Sequence, residues 1–502
     1  MMGTVPPHLP AAVAETHIST VFFDGDRAYK RYKHLRTAFL DHTTVEGRRA
    51  DCLREVELNR RLAPDVYLGI AEVRDPDGAV CDHLVVMRRL DPERRLATLA
   101  RQGGGHDEVR AVARRVAAFH AGAERSASID AAATAEALDA RWDADLAETA
   151  ATGPGAAHGP RLARLGDLAH RFITARGPLL AARIEGGFIR DGQGDLLADD
   201  IFCLDDGPRI LDCLAFDDRL RWCDVVADVA FLAMDLDYLG RADLSDALFR
   251  SYDEFSGEHH PDSLAHLYVA QRALVRAKVH ALRADQEAPG DGRGDADREA
   301  VGRLLALAEA HLRQAEPRLV LVGGAPGTGK STVARQIAER TGWTVLRSDE
   351  VRKELLGRGP LDHETTAVEQ GGYSAETTER VYDELVARAG ALIGAGESVV
   401  IDASWRTARA RARALADELA LGSGATLSAL QCRAPLTVCR DRVRQRARRG
   451  DDPSDATPAV ADWVAETFDP WPDATPIDTT GRLDATMSVV MATLEPSAGA
   501  SA

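Results

Sequence analysis

Four consecutive apolar residues, Leu319–Val322, run unbroken into GGAPGTGKST, and an amphipathic stretch follows to about Arg340. A short apolar run, a glycine-rich turn and then a 3.6-residue period predict a buried strand, a tight loop and a helix. The same alternation recurs downstream. Strands are predicted over 343–347, 398–404 and 426–434, each followed by a helical pattern. Repeated strand–helix units predict an α/β domain with a doubly wound parallel sheet. The first half reads differently. Residues 21–33, VFFDGDRAYKRYK, alternate about Asp24-Gly25-Asp26 and predict a hairpin, and a helix follows, with a capping box Thr43-x-x-Glu46 and a stop at Pro64. Strands followed by helices predict an α+β domain. Residues 284–300 hold a proline, three glycines and mixed charge with almost no large apolar side chain, which reads as a linker or an exposed excursion. The expected domains are therefore 1–300 and 301–502.

Composition narrows the class. The chain has 502 residues, 45% of them hydrophobic, with 62 Lys+Arg against 79 Asp+Glu and a net charge of −17. That balance suits a water-soluble globular protein and argues against nucleic acid or anionic membrane as a partner. No apolar run approaches the ~18 residues of a membrane span, and no charged n-region opens the chain, so a cytoplasmic location is expected. Seven cysteines without zinc spacing indicate neither a disulfide framework nor a structural metal. His259-His260 matches no ligand pattern and is expected as an exposed loop pair. Only five of the basic residues are lysine: Lys30, Lys33, Lys278, Lys330 and Lys353.

The chemistry concentrates after residue 318. Gly324-x-x-x-x-Gly329-Lys330-Ser331 is a P-loop between a strand and a helix. Glycines let backbone N–H groups wrap phosphate, the helix start adds positive charge, and the lysine reaches the outer phosphates. Gly324, Ala325, Pro326, Gly327, Thr328, Gly329, Lys330, Ser331 and Thr332 are candidate ATP contacts, with the Ser331 hydroxyl a Mg²⁺ ligand. Asp349 and Arg352 follow a predicted strand end at i,i+3 spacing. Asp349 is either a helix cap or a base that accepts a hydroxyl proton while Arg352 holds an anionic group. Asp402, ending another strand, is either a cap or a Mg²⁺ carboxylate. Arginines 440, 444 and 448 form one helical stripe and 442, 446 and 449 another. One stripe is a solvated face; the other closes over ATP as a lid.

On these motifs the C-terminal half resembles the small P-loop metabolite kinases: gluconate kinase, adenylylsulfate kinase and chloramphenicol phosphotransferase, with zeta toxins and polynucleotide kinase more distant. The resemblance implies that Asp349 binds or deprotonates the acceptor hydroxyl and that Arg442 and Arg446 belong to the lid.

In the first half, IRDGQGDLLADDIFCLDDGPRILDCL resembles the catalytic loop and metal strand of the aminoglycoside phosphotransferase and choline kinase family, a protein-kinase-like fold. The resemblance implies Asp195 as base, Asp200 and Asp212 as metal ligands, and Lys30 with Glu55 as the phosphate-binding pair, with Lys33 as the alternative lysine. Met87 would line the hinge beside the adenine. Three positions depart from the pattern. Gln193 stands for histidine, Asp200 for asparagine, and no glycine-rich loop precedes residue 21. The tandem order resembles a bacterial family in which an aminoglycoside-phosphotransferase-like domain is fused to a P-loop kinase-like ATPase domain. The expected function is ATP/Mg²⁺-dependent phosphotransfer to a small hydroxylated molecule, with chemistry in the C-terminal half. The alternatives are a nucleotide-gated regulator, whose kinase-like half binds a ligand, and a nucleotide-sugar or polynucleotide kinase.

Overall fold

An alternating hairpin stands near the start of the computed structural model, which describes residues 12–15, 18–36, 41–286, 292–359, 361–362, 374–416, 424–449 and 452–494. Strands β1 (Ala12–Glu15), β2 (Ser19–Asp24), β3 (Arg27–Tyr32), β4 (Tyr67–Arg74) and β5 (Val80–Arg88) form an antiparallel sheet in the order β1-β2-β3-β5-β4. Helix α1 (Val45–Asn59) packs on it, burying Cys52 and Val56 among Ala28, Val85 and Met87. The N-cap of α1 is Thr44, whose hydroxyl accepts from Gly47 N–H, and not Thr43. Thr43 is engaged one step earlier, bonding through its N–H and hydroxyl to Asp41.

Helices dominate the described residues that follow, up to Gln314. Those that bear on function are α2 (His106–Gly122), α3 (Ala135–Ala150), α4 (Val225–Tyr238), α5 (Ala242–Ser256), α6 (Asp262–Gln286) and α7 (Gly292–Gln314). Between α3 and α4 lie two small ribbons. One pairs β6 (Ile189–Asp191) with β9 (Trp222–Asp224), and the other pairs β7 (Ile201–Leu204) with β8 (Gly207–Ile210). The expected linker is helical from Gly292 onward: an Asp295–Arg298 pair supports the first turn of α7, and the buried face of Ala300, Val301, Leu304 and Leu305 carries it on. His260 is buried rather than exposed, because it pairs with Asp253 at 3.2 Å and packs edge-on against Phe249. Lys278 is also accounted for, bonded to Asp145 at 2.6 Å and Glu148 at 3.1 Å.

The C-terminal sheet is wholly parallel, in the order β11-β12-β10-β13-β14, from β10 (Arg318–Gly323), β11 (Thr344–Arg347), β12 (Val399–Asp402), β13 (Thr426–Arg433) and β14 (Thr475–Asp478). Its helices are α8 (Lys330–Thr341), α9 (Ser348–Leu355), α10 (Ala375–Gly394), α11 (Leu436–Arg449), α12 (Pro458–Glu466) and α13 (Leu483–Leu494). Leu319 and Leu321 enter one apolar core, Val320 and Val322 the other. A strand buried on both faces has no polar side to alternate with, which explains the unbroken apolar run.

Contacts divide the chain into two units: Met1–Gly166, Leu180–His260 and Ala265–His311 in the first; Asp167–Leu179, Pro261–Leu264 and Leu312–Ala502 in the second. No helix among the described residues is long and apolar enough to cross a membrane.

Candidate functional site

The P-loop closes against elements far along the chain. Gly327 has φ 86°, and a Cβ there would lie 2.8 Å from the Cα of Cys439 on α11. At Gly324, a Cβ would meet the Cys432 carbonyl oxygen of β13 at 2.6 Å. The loop is thus shaped for glycine by the backbone packed over it. Arg442 of α11 donates to the Gly327 carbonyl and to the Thr479 hydroxyl, both at 3.2 Å, and to the Thr479 carbonyl at 2.7 Å. Thr479 in turn donates to the Thr328 carbonyl at 2.6 Å. Lys330 is buried at the start of α8.

Beside the loop the strand ends are level. Asp402 pairs in register with Val322 on one side and Arg347 on the other. Its carboxylate is buried; Oδ2 accepts from Arg347 at 3.3 Å, while Oδ1 has no hydrogen-bond partner among the described residues. An orphaned carboxylate oxygen beside a phosphate loop suits a hard cation, so Asp402 fits Mg²⁺ and is not a helix cap. Just beyond it, Trp405 holds φ 50°, fixed by its N–H to the Tyr382 hydroxyl and its indole to the Ile401 carbonyl. A bulky residue in the left-handed region marks backbone that its surroundings over-determine.

Asp349 lies in the first turn of α9; the cap position belongs to Arg347, which makes no side-chain cap bond. Arg352 is buried one turn on and donates to the Thr378 hydroxyl of α10 at 3.4 Å. Of the arginine stripes, Arg440 pairs with Asp462 on α12, and Arg444 with Asp441 on its own helix. Arg446 instead approaches Asp452 at 3.9 Å and buries an Nη2 that has no partner among the described residues. Asp452 also takes Arg347 at 3.1 Å. Burial works against its charge, but the Ser454 N–H, Arg347 and Arg446 hold its pKa below the usual carboxylate range.

In the first unit Lys30 reaches Glu55 at 2.9 Å and Asp212 at 3.0 Å, while Lys33 pairs with Glu15. Burial opposes the Lys30 charge, but Asp212 and Glu55 hold its pKa well above the ordinary value. The loop carrying Asp195 is hung on α4. Asp228 is fully buried and accepts the N–H groups of Gln193 and Gly194, both at 2.8 Å, and bonds His120 of α2 at 3.0 Å. Gln193 bridges the loop to the metal strand, donating to the Leu211 carbonyl at 3.0 Å and accepting from Asp195 N–H at 2.7 Å. Burial pushes the Asp195 carboxyl up to about 6; Arg276 and Arg272 oppose this and Asp212 adds to it. Asp200 is raised further by burial and by Asp212 and Asp195. Asp212 itself sits at φ 58°. Carboxylates such as Asp200 and Asp212 are chemically suited to a divalent cation. Among the described residues no three His, Cys, Asp or Glu converge as a ligand set, so Mg²⁺ in either unit would draw on phosphate oxygens and water.

Asp228, His120, Thr479 and Asp452 escaped the sequence reading. Thr479 follows a strand end, as Asp349 does, which was the one local signal; the others join a site only through distant pairing.

Over residues 319–471 the chain matches the AAA domain family. Over 473 residues it is 41% identical to the uncharacterized protein Rv2004c of Mycobacterium tuberculosis, covering 93% of this chain and 92% of that one. The chain belongs to the Rv2004c family. Among solved structures, a choline/ethanolamine kinase family protein from Mesorhizobium loti shares 16% identity, covering 61% of this chain and 92% of that one, with TM-score 0.39. A gluconokinase from Sinorhizobium meliloti shares 19%, covering 36% and 91%, with TM-score 0.25. The matched AAA segment carries the P-loop and most of the wholly parallel sheet.

Proposed function

We propose that the domain of residues 301–502 transfers the γ-phosphoryl group of ATP to a hydroxyl of a small molecule, with Mg²⁺. The observation that carries this reading is the level of the strand ends: the P-loop leaves β10 beside the orphaned Asp402 oxygen, and Asp349 opens α9 two residues past the partner of Asp402 on β11. In this reading the loop amides and Lys330 hold the phosphates. Ser331 and Asp402 would hold Mg²⁺, which when bound neutralises charge on the β- and γ-oxygens. Asp349 accepts the hydroxyl proton as the new O–P bond forms and the bond to the bridging oxygen breaks, releasing ADP. Arg352 orients the acceptor and Arg446 faces the developing charge. Arg442, its guanidinium committed to Gly327 and Thr479, positions the loop. In the kinase-like unit, Lys30 with Glu55 serves phosphate, Asp195 is the base, and Asp200 and Asp212 serve metal.

The test is a labelled-ATP screen over sugars, sugar acids, aminoglycosides and nucleosides with wild type, Lys330→Ala and Asp195→Ala. Transfer lost in Lys330→Ala and kept in Asp195→Ala supports the assignment; the reverse pattern overturns it.

A further inference from the structure

The wall beside Asp195 is built from arginine. Ala227, Phe231 and Asp235 lie along one face of α4 at four-residue spacing, and this helix supports the Asp195 loop: Asp228 bonds Gln193 and Gly194, and Asp235 accepts the Ala198 N–H at 2.9 Å. Arg272 of α6 lies against that face. Its Nε donates to the Ala227 carbonyl at 3.0 Å, and its guanidinium stacks on Phe231 at 5.0 Å. It is 5% exposed, and its buried Nη2 has no partner among the described residues. Arg276 follows one turn later on α6. Its positive charge opposes the effect of burial on the Asp195 carboxyl.

Arg141 of α3 adds a third positive charge, its pKa lowered by burial and then by Arg272. Asp145, one turn further along that helix, is taken by Lys278. Asp235 accepts the Ala198 N–H, whereas Asp195 lies within the influence of Arg276 and Arg272. Like charges gathered in a poorly hydrated wall are unfavourable unless an anion offsets them. The guanidinium fork also matches carboxylate and phosphate oxygens two at a time.

We propose that the kinase-like unit binds an anionic, hydroxyl-bearing small molecule, its carboxylate or phosphate at Arg272 and Arg276 and its hydroxyl toward Asp195. Cationic alcohols are repelled by the same wall. The proposal concerns the first unit and stands apart from the reading of the P-loop domain.

Calorimetric titration of the full chain tests it, using Lys330→Ala to weaken phosphate capture by the P-loop. The probes are glycerol 3-phosphate and glycerate as anions, glycerol as the neutral alcohol and choline as the cationic one. At least one anion is expected to bind, with choline and glycerol silent, and the two anions show whether phosphate or carboxylate is read. Adding Arg276→Gln is expected to weaken the anion roughly tenfold or more, and Arg272→Lys to weaken it by removal of the fork. Arg276 is only partly buried, so its variant keeps the test open where an Arg272 variant fails to fold. Choline binding in preference, no binding by either anion, or equal anion affinity in Arg276→Gln would each overturn the proposal.

Discussion

Arg442 donates a hydrogen bond to the carbonyl oxygen of Gly327 at 3.2 Å, so a helix from the end of the sheet reaches back onto the phosphate loop. Its second nitrogen holds Thr479, which itself bonds Thr328. The loop is therefore clamped from outside its own strand and helix. Removing this arginine as Arg442→Ala leaves backbone acceptors without a charged donor, worth about 1.5–3 kcal/mol. The expected result is a rise of about tenfold or more in KM for ATP with a smaller change in kcat. A fall in kcat alone would make Arg442 a group acting on the transferring phosphoryl instead.

Gly327 allows a sharper test. Its positive φ and the Cys439 backbone overhead leave no room for a methyl group. Gly327→Ala is expected to lose nucleotide affinity by roughly 5- to 150-fold, since strain of this kind is on the order of 1–3 kcal/mol. ATP titration by calorimetry reads it, with circular dichroism to verify folding. Normal affinity would show that the loop rearranges freely.

The acceptor base has its own signature. Asp349→Asn is expected to lower phosphate transfer to the acceptor by roughly 10²–10⁴, while slow acceptor-independent hydrolysis of ATP continues. Transfer at the wild-type rate would remove Asp349 from the mechanism.

A buried histidine pair predicts a pH response in the first unit. His266 and His311 meet Nδ1 to Nδ1 at 3.0 Å, and His311 pairs with Asp237 at 3.3 Å. Burial, and then the His311 charge, push the pKa of His266 down to about 3 from an ordinary 6.5. The unfolded chain binds a proton in that interval that the folded chain does not. The stabilisation is therefore complete above pH 6.5 and is lost as pH falls toward 3. NMR of the labelled imidazole should show a neutral ring at pH 5; a ring that titrates near 6.5 would contradict the buried pair.

What the sequence made legible divides by distance along the chain. The P-loop was readable because strand, turn and helix are contiguous and each glycine answers a local need. The hairpin about Gly25 was readable for the same reason. Choosing Lys30 over Lys33 was not, because the two differ by strand register, and only pairing with Glu55 across 25 positions separates them. Asp228 was hidden in an apolar helix, where a lone carboxylate reveals its purpose only through the N–H groups it meets. Gln193 read as a departure from the family's histidine. In the fold it still ties the Asp195 loop to Leu211, a hydrogen bond that an amide makes as readily as an imidazole. Helix start signals misled by one residue at Thr43, because neighbouring threonines compete for the same cap and the winner depends on Asp41.

ATP chemistry in this chain is predicted to depend on Lys330 in its glycine-walled loop. The direct measurement is steady-state ATP turnover, with and without acceptor, by purified wild type and Lys330→Ala at matched folding. Loss of turnover to background in the variant is predicted; turnover surviving at the wild-type rate would contradict the account.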